Sequence, residues 1–242
     1  MKAMIFAAGM GTRLLPLTKD KPKALVELQG KTLLRILLEK LKKNKISELI
    51  INIHHYSDQI IKYLNDHDNF GMDIEISDES DFLLDTGGGI KKASWFFDDA
   101  KPFLIHNVDI ICNLSLQEMY ESHMHSGALA TLAVKTRQTS RYLLFNDQQR
   151  LCGWEHVKTK EKIVVNTDES LSPYAFSGIH IVDPRIFSMI TEKGKFSIVD
   201  TYLRLAQTQT IKAFLHNNKD WMDVGKPLDL KRAEGMSNLL EL

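Results

Sequence analysis

Met4-Ile5-Phe6-Ala7-Ala8-Gly9-Met10-Gly11-Thr12-Arg13 places small residues and an arginine directly behind an apolar run, and Lys21-Pro22-Lys23 follows. This combination suits a polyphosphate. Small residues at a strand end let the backbone approach a ligand closely, and successive N–H groups in a glycine-rich turn form an anion-binding concavity. Arg13 and Lys23 would supply the positive charge. Gly87-Gly88-Gly89 offers a second bare stretch of backbone further along the chain.

Glycines behind a strand can also make a plain tight turn. A dinucleotide-binding turn needs a third glycine three positions after Gly11, where Leu14 stands, and a P-loop needs Gly-Lys followed by Ser or Thr, which is absent. What remains is an uncommon phosphate loop with Thr12, Arg13, Pro16 and Lys23 at fixed offsets. Other chemistry-bearing residues have plainer readings. An aspartate behind a buried strand, such as Asp109, usually serves a turn or helix cap. Asp223 alone is equally ambiguous, and Trp221 beside it suits packing. His54-His55 resembles half a metal site but lacks a partner at a matching offset, so it reads as a strand end. The Lys40, Lys42, Lys43, Lys45 run reads as a solvated helix face.

The elements that must position these residues alternate between buried apolar runs and helical periodicity, the pattern of an α/β sheet. Strands are expected at Ala3 to Ala8, Glu48 to Ile53, Asp73 to Ser77 and Pro102 to Asn107. Helices are expected at Thr32 to Asn44, Ser57 to His67 and Gly89 to Phe97. The second half changes character. Ala128 to Lys135 and Tyr142 to Phe145 read as strands, and Asn146-Asp147-Gln148-Gln149 as a hairpin turn into Leu151 to Trp154. Ala175 to Val182 and Ile211 to His216 are further strands, with helices at Arg185 to Thr191 and Ser197 to Thr208. Lys158 to Ser172 is polar and weakly patterned, the expectation for a mobile loop.

At 242 residues the chain is long for one domain but within the α/β range, so a single domain over 1–242 is expected, with 1–112 as a nucleotide half and 113–242 as a sugar half. Lys plus Arg number 31 and Asp plus Glu number 31, so no global field favours nucleic acid or an anionic membrane. Any anion site must be local. Cys112 and Cys152, the only 2 cysteines, suit a reduced compartment rather than a disulfide scaffold. No apolar run reaches the ~18 residues of a membrane span, and the expectation is a cytoplasmic protein with no obligate protein partner.

Gly9-Met10-Gly11-Thr12-Arg13, Leu14-Leu15-Pro16-Leu17-Thr18 and Pro22-Lys23 together resemble the signature of the sugar-1-phosphate nucleotidylyltransferases. These enzymes join a nucleoside triphosphate to a sugar 1-phosphate and release pyrophosphate. The resemblance continues in order along the chain. Asp85-Thr86-Gly87-Gly88-Gly89-Ile90 looks like the nucleobase loop, and His106-Asn107-Val108-Asp109 like the strand end whose Asp binds magnesium. Ala175-Phe176-Ser177-Gly178-Ile179 resembles the sugar-contacting strand, and Trp221-Met222-Asp223-Val224-Gly225 the segment with the second metal Asp.

The resemblance implies a Rossmann-like three-layer α/β sandwich with a mostly parallel mixed central sheet. It implies nucleotide contacts from Ala8, Gly9, Gly11, Thr12, Arg13, Thr86, Gly87 and Gly88. It implies sugar-phosphate contacts from Lys23, Asn107, Glu155, Ser177 and Gly178, catalytic roles for Arg13, Lys23 and Asp109, and Mg²⁺ on Asp109 and Asp223. Two anionic reactants repel each other, and Mg²⁺ takes oxygen ligands from one or two carboxylates plus phosphates. Gly153-Trp154-Glu155-His156-Val157 departs from the Glu-Lys-Pro that many relatives carry, with His156 in place of the lysine and no proline, so Lys158 or another residue of the Lys158 to Ser172 loop would replace the missing lysine. The triple glycine, the chain length without a C-terminal β-helix and the Trp221 to Gly225 block most resemble the bacterial N-acetylmuramate 1-phosphate uridylyltransferases, implying UTP as the nucleotide. Mannose- and heptose-1-phosphate guanylyltransferases share the other blocks. A nucleotide-sugar sensor without turnover would be expected to lack Arg13, Lys23 or a metal carboxylate, and all are present.

Overall fold

The computed structural model describes residues 1–167, 170–216 and 221–235. These fall into two compact units, each assembled from separated stretches. The first comprises 1–84, 105–114 and the described residues of 218–242; the second comprises 85–104 and the described residues of 115–217.

In the first unit, β1 (Ala3–Phe6) leads by way of β2 (Glu27–Leu28) and β3 (Lys31–Thr32) to α1 (Leu33–Lys43), β4 (Glu48–Ile53), α2 (Ser57–Asp66) and β5 (Asp73–Asp78). The chain returns through residues 105–107 of β6 (Phe103–Asn107) and through β7 (Ile110–Ile111), and later through β14 (Met222–Asp223) and α7 (Pro227–Glu234). The strand order is β6-β1-β4-β5. Pairing of β1 with β4 and of β4 with β5 is parallel, with Phe6 opposite Asn52. Helical crossovers demand that arrangement, because parallel neighbours cannot be joined by a tight turn. Thr32 caps α1 by accepting from the Arg35 N–H at 3.1 Å.

One prediction about α1 fails. Lys40 is buried, not solvated, and its Nζ donates to the Cys112 carbonyl at 2.5 Å. It lies one turn after Ile36 and so shares the apolar face of the helix. A core cluster of Leu14, Val26, Leu28, Leu33, Ile36, Ile111, Val224, Leu230 and Ala233 ties α1 and α7 to the segments on either side of the glycine loop and of Asp223. Each leucine, isoleucine or valine among them contributes about 1.5–3 kcal/mol by leaving water.

The second unit contains α3 (Asp85–Lys92), α4 (Leu116–Ser126), β8 (Ala130–Lys135), β9 (Arg141–Phe145), β10 (Leu151–His156), β11 (Glu161–Val164), β12 (Ser172–Val182), α5 (Ile186–Met189), α6 (Ile198–Leu205) and β13 (Ile211–Leu215). Its strands run in the order β11-β10-β9-β12-β8-β13. All pairs are antiparallel except β8 with β13. The expected hairpin is present, its turn closed by Gln149 N–H to the Asn146 carbonyl at 2.8 Å and Arg150 N–H to Asn146 Oδ1 at 2.9 Å.

Two expectations need correction, and one helix was not foreseen. Lys158 to Ser172 is not a plain loop, because Glu161–Val164 forms β11 on β10; residues 168 and 169 lie outside the described residues. All four β11 residues are exposed, so no apolar alternation announces the strand. The triple glycine lies inside α3, which starts at Asp85 rather than Gly89 and ends at Lys92. The helix α4 has no counterpart in the sequence reading, since its buried positions, Leu116, Met119 and His123, are spread among polar residues. The class itself is the expected Rossmann-like α/β fold with a mixed central sheet and helices. No described helix is long and apolar enough to cross a membrane.

Candidate active site

The glycine loop leaves β1 through Ala7 and Ala8, both buried. Gly11 has a φ of +66°, and a Cβ there would stand 3.0 Å from Thr18 Cγ2 and 3.3 Å from Lys23 Cβ. Left-handed backbone and close approach both require glycine. Thr18 Oγ1 donates to the Gly11 carbonyl at 2.9 Å, and Leu14 plugs the loop into the core. Gly9, Met10, Gly11, Thr12, Arg13, Lys23 and Gly225 line a cavity of about 230 Å³.

Two carboxylates reach the same place from distant parts of the chain. Asp109 follows β6, and Asp223 sits on β14, which pairs antiparallel with β7 so that Asp223 is opposite Ile110. The Val224 N–H donates to the Asp109 carbonyl at 2.9 Å, closing the ribbon. Lys23 Nζ lies 2.5 Å from Asp109 Oδ2, with side chains 14% and 7% exposed. Asp223 Oδ1 accepts from the Gly225 N–H at 2.9 Å. Gly225 is the meeting point: a Cβ there would lie 2.7 Å from Asp223 Oδ1, 2.9 Å from Arg13 Nη2 and 3.1 Å from Asp109 Oδ2.

Burial, and secondly the neighbouring Asp109, push the Asp223 carboxyl above its ordinary value, while the Gly225 N–H, Arg13 and Lys23 pull it back. Burial leads the shift, and the Asp109 contribution to it marks two negative charges competing for one space. That donor set fits a hard cation such as Mg²⁺, because both candidate ligands are carboxylates and a divalent ion would relieve their repulsion. Among the described residues no group of three His, Cys, Asp or Glu gathers to hold a metal. Phosphate and water oxygens would then complete the coordination.

His106 supports this end of β6. It is fully buried, and desolvation followed by the charge of Lys40 lowers its pKa to about 3. The ring is therefore neutral, and its Nδ1–H donates to the Asn107 carbonyl at 2.8 Å. Asn107 itself is half-buried, in the strand that leads to Asp109.

The remaining expected residues lie in the second unit. Thr86 Oγ1 accepts from the Ile198 N–H at 3.0 Å, and the Gly87 and Gly88 N–H groups point at the Phe196 carbonyl at 2.9 and 3.4 Å. A Cβ on Gly87 would fall 2.3 Å from Phe196 Cε2. Absent side chains here let α3 pack against the start of α6. Glu155 is half-buried on β10, opposite Tyr142 and Lys162. Ser177 is fully buried with its Oγ 2.8 Å from His216 Nε2, and Gly178, at a φ of +76°, lies where the β12–β8 register shifts.

Within the first unit the structure thus gathers Gly9 to Arg13, Lys23, Asp109 and Asp223. Sequence reasoning assigned no role to Thr18 or Gly225, although both lie inside the motif blocks. It also passed over Asn52 and Glu79, two buried polar residues. Asn52 was visible as a polar interruption of the Glu48 to Ile53 run.

The chain resembles known proteins along most of its length. The nucleotidyl transferase family model matches residues 2–237. An N-acetylmuramate alpha-1-phosphate uridylyltransferase of Caulobacter vibrioides is 30% identical over 237 residues, covering 93% of this chain and 92% of the relative. A UTP–glucose-1-phosphate uridylyltransferase of Synechocystis sp. is 29% identical over 250 residues, and a mannose-1-phosphate guanyltransferase of Yarrowia lipolytica 29% over 232. The match spans 62% of the length of each of these two longer relatives. Among solved structures, HddC from Yersinia pseudotuberculosis complexed with GMP-PN superposes with a TM-score of 0.78 at 24% identity, covering 97% of this chain and 98% of that one. On the strength of the family match across residues 2–237, the chain belongs to the nucleotidyl transferase family.

Proposed function

We propose that this protein joins a nucleoside triphosphate to a sugar 1-phosphate and releases pyrophosphate, with UTP and the cell-wall sugar N-acetylmuramate 1-phosphate as its substrates. The observation that carries the reaction class is the convergence of Arg13, Asp109 and Asp223 on Gly225, with Lys23 paired to Asp109 beside the glycine loop. A site for two phosphorylated reactants needs positive groups, bare backbone and a place for a divalent cation together.

An oxygen of the sugar phosphate attacks the α-phosphorus in line, the bond to the β-phosphate oxygen breaks, and the electron pair leaves with pyrophosphate. The attacking oxygen is already ionised near neutral pH, so positioning and charge neutralisation carry the rate. In this reading the N–H groups of Gly9 to Arg13 and the Arg13 guanidinium hold the departing phosphates. Lys23 exchanges its partner Asp109 for the reacting phosphate. Asp109 and Asp223 would hold Mg²⁺, which when bound supplies Lewis-acid neutralisation of the phosphate oxygens. Thr86, Gly87 and Gly88 serve the base, and Asn107, Glu155, Ser177 and Gly178 the sugar phosphate.

The choice of UTP and N-acetylmuramate 1-phosphate is supported by the Caulobacter relative, which matches along nearly its whole length. The Yarrowia relative supports a guanylyl-transferring alternative. A panel of the common triphosphates against several sugar 1-phosphates, with Mg²⁺ and pyrophosphate release as readout, tests both. Release highest with UTP and N-acetylmuramate 1-phosphate is expected. Preference for GTP overturns the base assignment, and silence throughout overturns the reaction.

A further inference from the structure

Asn52 and Glu79 form a buried polar relay behind the glycine loop. Asn52 is 3% exposed and stands opposite Phe6, the last residue of β1. Its Oδ1 accepts from the Ala7 N–H at 2.8 Å and from the Ala8 N–H at 3.3 Å. Its Nδ2 donates to Glu79 Oε1 at 2.8 Å. Glu79 is 1% exposed, and its second oxygen accepts from the Leu84 N–H at 3.0 Å. His54 Nδ1 and the Glu79 carbonyl, 2.7 Å apart, fix the backbone of Glu79. Neither Asn52 nor Glu79 lines the cavity beside the loop.

A carboxylate withdrawn from water persists only when its oxygens are well partnered, and truncation of one member leaves the others unsatisfied. An apolar pair would have filled the same space without that liability. What an apolar pair cannot do is hold the Ala7 and Ala8 peptide groups at a set angle. Those peptides aim the next ones, at Gly9 and beyond. Leu84, at the far end of the relay, immediately precedes Asp85-Thr86-Gly87.

We propose that Asn52 and Glu79 are positioning residues for triphosphate binding: the relay sets the direction of the glycine-loop N–H groups and ties it to the segment from Glu79 to Leu84. This rests on reading Gly9 to Arg13 as the seat of the triphosphate. Every donor in the relay has one acceptor, so its polarity can be exchanged as a test. Asn52→Asp alone sets a carboxylate oxygen against Glu79 Oε1. Glu79→Gln alone forfeits the bond to Asn52 or the bond to Leu84. In the double variant the new amide nitrogen at position 79 donates to one carboxylate oxygen at position 52, and the amide oxygen accepts from the Leu84 N–H. The other carboxylate oxygen at position 52 retains the Ala7 and Ala8 bonds.

The experiment measures KM for the preferred triphosphate and kcat for the parent, both single variants and the double variant, with amide hydrogen exchange at Ala7 and Ala8. Each single variant is expected to raise KM by about tenfold, the scale of a coupled hydrogen-bonded pair, with a smaller change in kcat and faster exchange. The double variant is expected to return to within about threefold of the parent in KM. An active parent with single variants of unchanged KM, or a double variant no better than either single, overturns the relay alone. A parent silent with every triphosphate overturns the reading of the site and the relay together. If a single variant does not fold, triphosphate affinity of the double variant decides: near-parent affinity supports the relay, and its loss overturns it.

Discussion

The Val224 N–H donates to the carbonyl of Asp109 at 2.9 Å, so that one backbone bond joins residues more than a hundred positions apart and sets the second carboxylate, Asp223, beside the first. The ribbon that makes this bond contains only two residues on each side. Its stability comes from Ile111 and Val224, both members of the core cluster that also holds Leu14 of the glycine loop. Packing, rather than ladder length, places the charges.

Lys23 pairs with the first of these carboxylates, its Nζ 2.5 Å from Asp109 Oδ2. Lys23→Met removes the charge but keeps the apolar stem. Turnover is expected to fall by about 10²- to 10³-fold, the range seen when one preorganised electrostatic group is deleted. Steady-state pyrophosphate release checks this, and a loss under tenfold would count against a role at the reacting phosphate.

Gly225→Ala inserts a methyl group 2.7 Å from Asp223 Oδ1, 2.9 Å from Arg13 Nη2 and 3.1 Å from Asp109 Oδ2. At least one functional group must move. A displacement of about 1 Å is enough to cost about 10²-fold in rate. Turnover is therefore expected to drop by about that factor while the circular dichroism spectrum stays that of the parent. Parent-like turnover would show that the three groups need not converge.

Gly87→Ala tests packing in the other unit. Its Cβ would overlap the Phe196 ring at 2.3 Å, so overpacking is expected to cost about 1–3 kcal/mol. Thermal unfolding of Gly87→Ala, Phe196→Ala and the double variant separates the effects. The double variant should be destabilised by less than the sum of the two singles; strict additivity would mean that the ring is not what the methyl group meets.

Glu192 supplies a pH test. The Arg204 side chain, bonded through Nε at 2.8 Å and Nη2 at 2.9 Å, lowers the Glu192 pKa to about 2. A depressed carboxylate stabilises the fold above its unfolded pKa, and that contribution disappears as pH falls through the folded value. Arg204 is 40% exposed, so solvent screening reduces the pair to about 0.5–1 kcal/mol. Glu192→Gln should be less stable than the parent by this amount at pH 7, and the gap should close between about pH 4.5 and pH 2. Urea unfolding across that range checks it; a gap that persists at pH 2 would assign the effect to something other than ionisation.

Much of the architecture was written in short-range pattern. The apolar run before Gly9, the strand from Glu48 to Ile53 and the helix from Leu33 to Lys43 each follow from a period of side chains along a local segment. The order of the motif blocks likewise brought Lys23, Asp109 and Asp223 forward as candidates together. Errors arose where periodicity says little. Glu161–Val164 pairs with β10 while all its side chains face solvent, and Gly87 to Gly89, poor helix formers, are helical because α6 packs against them.

The sequence by itself determined which groups are available: a bare glycine-rich backbone, two cations, two carboxylates and the α/β alternation that carries them. Only the tertiary structure decided that Arg13, Asp109 and Asp223 crowd one glycine, that Lys40 turns inward to the Cys112 carbonyl, and that Asn52 and Glu79 stand behind the loop. The division has a physical cause. Periodicity and turn chemistry act between residues a few positions apart, whereas burial, charge repulsion and hydrogen-bond partnership depend on neighbours that the chain supplies from far away.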